Sequence, residues 1–371
     1  MNRFHPARLL HRFRRQEPIR KGRRIPVAQI EITSRCGLDC AFCAQEALGE
    51  RWLSGDLSLD SFRNFIEPHL SEIELIYLQG WGEPLLHPDL WEMLALARGY
   101  DCQTGFTTSG ALLKDRQRRR ILDSGLDILS ISFSGATAEL HQSLRAHSDW
   151  HQLCRQVEQL AELRRKGDYR LRIGLHFLMT CTNWVELPAF VRLAARLGAD
   201  EVVATNLTYT PTRRLDELKA FGEIILEEQQ AVLEEACRFA RETGLRLHIY
   251  PLQMNHQTLE CDARPQETIF INHRGEVTPC VYLGLSVAGE IPRFFLGESR
   301  PTQPVSFGNV RSGLMEALNS PAREAFVRRF RERAAVTRDP LAGFTWLAGN
   351  PEPALPPPPE PCRSCYKMFG V

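Results

Sequence analysis

Residues 36–43 read Cys-Gly-Leu-Asp-Cys-Ala-Phe-Cys and place three thiols, Cys36, Cys40 and Cys43, within eight residues. An extended chain advances about 3.3–3.6 Å per residue, so a loop this short can fold all three onto one ion or cluster. Soft thiolates select zinc, Cu(I) or iron–sulfur centres. The count of three is informative. A structural zinc site closes with four ligands, whereas a metal site that does chemistry keeps a position open. A [4Fe–4S] cluster held by three cysteines likewise leaves one iron free, since full ligation takes four. A zinc knuckle whose fourth ligand lies elsewhere is the competing reading.

The flanking sequence says what carries this loop. Pro26–Ile32 alternates, with Ala28, Ile30 and Ile32 on one face and Gln29 and Glu31 on the other, which predicts a strand leading into the cysteines. Further strands are expected at Ile73–Leu78, Gln103–Thr107, Asp127–Phe133, Arg170–Met179 and Glu201–Thr205. Helices are expected at Ser58–Ile66, Leu90–Arg98, Ala111–Asp123, Trp150–Lys166, Glu186–Leu197 and Glu227–Thr243. Strands alternating with helices at this spacing imply βαβ units and a parallel sheet. Six such units are fewer than the eight that close a full barrel.

A CxxxCxxC run with an aromatic, Phe42, before its third cysteine resembles the signature of radical S-adenosylmethionine (radical SAM) enzymes. The resemblance implies an α/β fold, a partial (β/α)6 barrel, in agreement with the strand count. It also implies that Cys36, Cys40 and Cys43 hold a [4Fe–4S] cluster whose open iron takes the amino and carboxylate groups of SAM. Reduction then yields a 5′-deoxyadenosyl radical.

Function in parallel α/β folds gathers at the C-terminal ends of the strands. Gly80-Trp81-Gly82-Glu83-Pro84 follows the second strand and resembles the family's Gly-Gly-Glu-Pro motif, with Trp81 replacing the first glycine. By that resemblance Gly82 and Glu83 contact SAM, as do Ser132 on the fourth strand and Arg145, whose fork suits a carboxylate. Phe42 is counted with the cofactor-binding residues. Ser134 replaces the family's usual aspartate. His87 and His176 are weaker candidates to line the pocket, and a structural turn is the expected role of His87.

From about residue 251 the texture changes. Thr268–Ile271 and Glu276–Cys280 flank Asn272-His273-Arg274-Gly275, a hairpin signal, and residues 312–333 look helical. Pro351–Pro361 holds seven prolines in eleven residues, which predicts a stiff extended spacer. Cys261, Cys280, Cys362 and Cys365 form a second set that resembles a SPASM or twitch domain, the auxiliary-cluster appendage of many radical SAM enzymes. The resemblance implies one closed [4Fe–4S] cluster, and a zinc ribbon on the same four thiols is the alternative. The remaining cysteines, Cys102, Cys154, Cys181 and Cys237, are expected to be buried core thiols.

Three segments are therefore expected: a basic arm over 1–24, a barrel over 25–250 and a cysteine-rich auxiliary domain over 251–371. The arm holds nine Lys/Arg against one acid, Glu17, so the rest of this +1 chain is acidic. It lacks the apolar core of a secretory signal, and no apolar run reaches a membrane span. Clustered cysteines without such a signal point to metal in a reducing compartment, hence the cytoplasm. A flavodoxin- or ferredoxin-type reductant and a peptide or small-molecule substrate are the expected partners, with oxidation or cross-linking as the outcome. The chain shows no separate peptide-binding segment ahead of the barrel. The competing function is a zinc protein that engages nucleic acid through its basic arm.

Overall fold

The computed structural model describes residues 25–256, 258–336 and 355–371. The basic arm and Pro351–Ala354 lie outside these residues. Six parallel strands appear where the alternation places them: β1 Ile25–Ile30, β2 Ile73–Tyr77, β3 Gln103–Thr108, β4 Ile128–Phe133, β5 Arg172–Met179 and β6 Glu201–Asn206. A seventh, β7 Arg246–Ile249, pairs parallel with β6. It has four residues and only one buried position, too weak a pattern for the sequence to announce.

Helices cover the outside, and their ends follow local chemistry. Ser58 accepts from the Ser61 N–H at 3.2 Å to cap α1 Leu59–Phe65. Leu90–Gly99 forms α2. Asp149 caps α4 Trp150–Lys166 at 2.9 Å, and Arg164, Arg165 and Lys166 complement the dipole of its last turn. Between them α3 begins at Asp115 rather than Ala111. Gly110 adopts a left-handed φ of +83°, and a turn over Ala111–Lys114 comes before the helix can start. Helix α5 Leu187–Arg196 packs beside α6 Glu227–Thr243, which stops at Gly244 with a φ of 70°.

The appended region does not stand apart from the barrel. Strand β8 Thr268–Ile271 lies parallel beside β1, with Val27 opposite Thr268, and turns into antiparallel β9 Glu276–Thr278. Gly275, with a φ of +85°, makes that turn. A two-residue strand, β10 Gly308–Asn309, completes a ten-stranded sheet in the order β10-β9-β8-β1-β2-β3-β4-β5-β6-β7. The expected border near residue 250 thus runs through one continuous sheet. The expected helix over 312–333 is broken into Leu314–Leu318 and α7 Pro321–Val336. Pro321 has no N–H to continue the first piece, and it restricts Ser320 before it.

Of the four cysteines expected in the core, only Cys102 is buried, with its thiol directed to the Leu70 carbonyl. Cys154 and Cys237 are half-buried and Cys181 is exposed. Each sits on or beside an amphipathic element, where sequence alone does not say which side a small apolar residue faces.

Candidate active site and a second cysteine cluster

The mouth of the barrel holds a cavity of about 310 Å3 lined by Cys36, Cys40, Phe42, Cys43, Gly80–Glu83, Thr107–Ser109, Ser132 and Arg145. Every residue that the sequence assigned to the first cluster or to SAM is therefore on one wall system. The cysteine loop is anchored at both sides. Asp39–Cys40 pairs antiparallel with Arg145–Ala146, with Cys40 opposite Arg145. Cys43 begins the short helix Ala44–Leu48, and its N–H donates to the Cys40 carbonyl at 2.9 Å.

The glycine turn is pressed directly onto the lead-in to Cys36. The Glu83 N–H donates to the Arg35 carbonyl at 2.8 Å. A Cβ on Gly82 would stand 2.4 Å from the Thr33 carbonyl oxygen and 2.6 Å from that of Arg35, both immovable backbone atoms. Only glycine allows this approach.

Glu83 lines the cavity but is only 4% exposed. Its Oε1 accepts from the Leu85 N–H at 3.2 Å and the Thr108 hydroxyl at 2.8 Å; its Oε2 accepts from the Ser109 N–H and hydroxyl, each at 2.7 Å. Four donors fill a carboxylate's ordinary capacity. In this structure Glu83 locks the β2 and β3 loops together.

Arg145 is buried, with Nε donating to the Ser134 hydroxyl at 2.8 Å and Nη1 standing 3.8 Å from the Cys40 sulfur. Its guanidinium carbon lies 5.1 Å from the centre of the Phe42 ring. With a serine where the family has an aspartate, the charge is hydrogen-bonded but not neutralised at that position. Burial, and secondarily the Arg145 charge, hold His141 down at about 3, so this imidazole is neutral.

His87 is a turn histidine: Nε2 meets the Leu57 carbonyl at 3.0 Å and Nδ1 accepts from the Asp89 N–H. His176 shares a face of β5 with cavity-lining Leu178 but lies a layer deeper and does not line the cavity. Burial lowers it to about 4.

The three thiols behave as one group. Burial pushes Cys43 up to about 11, with the neighbouring Cys40 and Cys36 adding to the rise. Burial also raises Cys36, aided by Glu83 and Cys40 and opposed by the Leu38 N–H. Thiols that resist ionising beside one another ionise when a cation joins them, so the trio suits a metal group.

The second set also converges. Cys261 and Cys362 are buried and raised well above the ordinary thiol value, first by burial; Asp262 and then Cys280 and Cys365 add to the rise at Cys261, and the other three thiols of the set add to it at Cys362. Cys280 is pushed up to about 11 by burial and Cys365. Beside them the buried Lys367–Asp262 ion pair also receives the Tyr250 hydroxyl at 3.1 Å. Among the described residues no three Cys, His, Asp or Glu side chains converge tightly enough for a single metal ion.

Several functional positions were invisible in the sequence. Glu31, 1% exposed, accepts from the Trp81 N–H at 3.0 Å and from the His273 ring at 3.0 Å, joining the glycine turn to the β8–β9 hairpin. Trp81 packs edge-on against Trp52 and Tyr209 and tilted against Tyr282, and its indole N–H donates to the Val281 carbonyl at 3.1 Å. Trp81, Tyr209, Val281 and Tyr282 all line the cavity. They come from the β2 loop, the β6 loop and the residues just after Cys280, so the appended region forms part of the cavity wall. The tryptophan in a glycine's place was the only signal for this wall.

Comparison with known proteins follows the same division. The radical SAM superfamily model matches residues 30–194, and the SPASM iron–sulfur cluster-binding domain model matches residues 261–366. The tungsten-containing aldehyde ferredoxin oxidoreductase cofactor-modifying protein of Pyrococcus furiosus is 25% identical over 285 residues, which is 76% of this chain and 77% of that protein. The PqqA peptide cyclase of Bradyrhizobium diazoefficiens is 29% identical over 188 residues, covering 50% of this chain and 47% of that one. SuiB of Streptococcus suis, crystallised with S-adenosylmethionine, superposes with a TM-score of 0.60 at 13% identity, covering 82% of this chain and 68% of that one. That last likeness concerns the fold.

Proposed function

The chain is a radical SAM enzyme with a C-terminal SPASM iron–sulfur domain, and from that premise we propose that its barrel cavity performs hydrogen abstraction on a peptide or small-molecule substrate during maturation or biosynthesis. The family brings a [4Fe–4S] cluster, SAM and auxiliary iron–sulfur chemistry. One observation carries the reading: three cysteines, the Gly80–Glu83 turn, Ser132 and Arg145 line the same cavity.

Cys36, Cys40 and Cys43 would hold the first cluster, three thiolates where full ligation takes four. Bound there, the cluster and SAM together supply a 5′-deoxyadenosyl radical able to take hydrogen from an unactivated C–H bond. Arg145, whose guanidinium no aspartate at position 134 neutralises, would pair with the carboxylate of SAM. Gly82 brings backbone close to the ligand, and Ser132 offers a hydroxyl from β4. Glu83 acts through the loops it locks, since a SAM ammonium would have to displace one of its present donors. Trp81, Tyr209 and Tyr282 shield the reacting centre from water and give the substrate an apolar face.

A relative matched over most of both chains is by its name cofactor-modifying, which supports a small substrate; the peptide cyclase supports a peptide. Cys261, Cys280, Cys362 and Cys365 would hold an auxiliary cluster, which would supply an electron acceptor for net oxidation or cross-linking. The class needs a one-electron reductant, and a flavodoxin or ferredoxin is the partner we assign. Among the described residues no helix is long and apolar enough to cross a membrane. We place the enzyme in the cytoplasm, where its thiols stay reduced.

The test is anaerobic purification followed by metal analysis and an assay for 5′-deoxyadenosine with a chemical reductant. About eight irons per chain and SAM-dependent 5′-deoxyadenosine are expected. A colourless protein carrying zinc and making none would overturn the reading.

A further inference from the structure

We propose that Arg293 is the cation of the four-cysteine site, donating an N–H to a sulfur of the group held there and holding its reduction potential up. This rests on the auxiliary-cluster reading given above. Arg293 is 3% exposed, although arginine is almost never fully buried without a partner. Its Nη1 donates to the Pro361 carbonyl at 2.6 Å and reaches the Ser364 carbonyl at 3.5 Å. Those carbonyls belong to the residues immediately before Cys362 and Cys365, so the guanidinium sits on the loop carrying two of the four ligands. Its Nη2 is buried with no acceptor in the protein. Among the described residues no carboxylate pairs with Arg293.

The backbone holds this residue in place from both sides. The Arg293 carbonyl accepts from the Arg300 N–H at 2.7 Å, and the next N–H, of Phe294, donates to the Thr210 carbonyl at 2.6 Å. The neighbouring Lys367 is paired to Asp262 and offers no comparable unpaired charge.

A buried guanidinium with an idle N–H is costly unless something anionic accepts it. Four thiolates around an iron–sulfur core leave a net negative group whose sulfurs accept hydrogen bonds. Such bonds and nearby positive charge are among the factors that set a cluster's potential. Arg293 and the auxiliary group therefore satisfy each other.

The experiment uses the full chain with Cys36→Ala, Cys40→Ala and Cys43→Ala combined, so that only the auxiliary cluster reports. EPR-monitored redox titration and the rate of iron release to a chelator are measured with Arg293→Met, Arg293→Lys and, as a control, exposed Arg300→Met. Arg293→Met is expected to lower the potential and speed iron release about tenfold, the scale of losing an outer partner of a metal site. Arg293→Lys keeps the charge but not the fork, and is expected to fall between Met and parent. It also carries the test if the Met variant does not fold. Parent-like potential and iron release in Arg293→Met, or in Arg293→Lys when Met does not fold, would overturn the proposal. So would an equal shift in Arg300→Met. Zinc in the parent site would appear in metal analysis before any potential is read, and would sink the auxiliary-cluster reading instead.

Discussion

The two cysteine groups are built from opposite materials. The first spans eight residues and closes on itself; its partners, the Gly80–Glu83 turn and Arg145, are then brought to it by the strands. The second draws Cys261, Cys280, Cys362 and Cys365 from more than a hundred residues of chain and exists only when the C-terminus has docked. That docking is visible in Tyr366, which donates to Asp216 at 2.6 Å and accepts from the Leu296 N–H at 2.7 Å. A local site is left with three ligands and open to a cavity, while the long-range one can be enclosed with four. On the function proposed above, the openness of the first and the closure of the second suit them to different tasks.

The largest expected effect separates the two directly. Cys43→Ala should abolish 5′-deoxyadenosine formation, by several orders of magnitude, and remove about four of eight irons. Cys362→Ala should remove a similar amount of iron yet leave reductant-driven SAM cleavage within a few-fold of wild type. Equal losses in the two variants would show that the sites are not functionally distinct.

Gly82→Ala sharpens the contrast next, because the first site depends on a backbone approach. A methyl 2.4 Å from the Thr33 carbonyl must push the loops apart. A cost of about 1–3 kcal/mol is expected in denaturant unfolding, with loss of SAM binding by calorimetry. Unchanged binding would mean the turn does not touch the ligand.

Arg145→Lys keeps a charge but loses the bidentate fork. The KM for SAM should rise about tenfold with kcat changed less, as measured by initial rates of 5′-deoxyadenosine release.

The smallest effect is in pH. His141 has its folded pKa depressed to about 3 from an ordinary 6.5. The unfolded chain therefore binds the proton first, so its contribution is full above about pH 6.5 and is lost as pH falls toward 3. Between pH 6.5 and 5 this costs about 2 kcal/mol, and His176, lowered to about 4, acts in the same direction. His141→Asn should flatten the acid side of the stability curve by about half in urea unfolding at each pH.

Much of the first site was legible because its chemistry is local. Thiol spacing, a glycine turn after β2 and an arginine after β4 are all read off adjacent residues, and alternation located six strands. What failed was orientation. Glu31 looked like the polar side of a strand, but it is buried between the glycine turn and His273, 242 residues away. Cys181 looked like core and is exposed.

By itself, then, the order of amino acids determined the family, the parallel α/β plan, the spacing of two cysteine sets and the loops that would meet at the barrel mouth. These are short-range properties of residue type, periodicity and spacing. Only the tertiary structure decided that β8 of the appended region joins the barrel sheet beside β1, that Trp81, Tyr209 and Tyr282 wall one cavity, and that the buried Arg293 rests on the last cysteine loop. Each of those depends on contacts between distant segments, whose geometry is set by how the whole sheet curls and what remains to be buried.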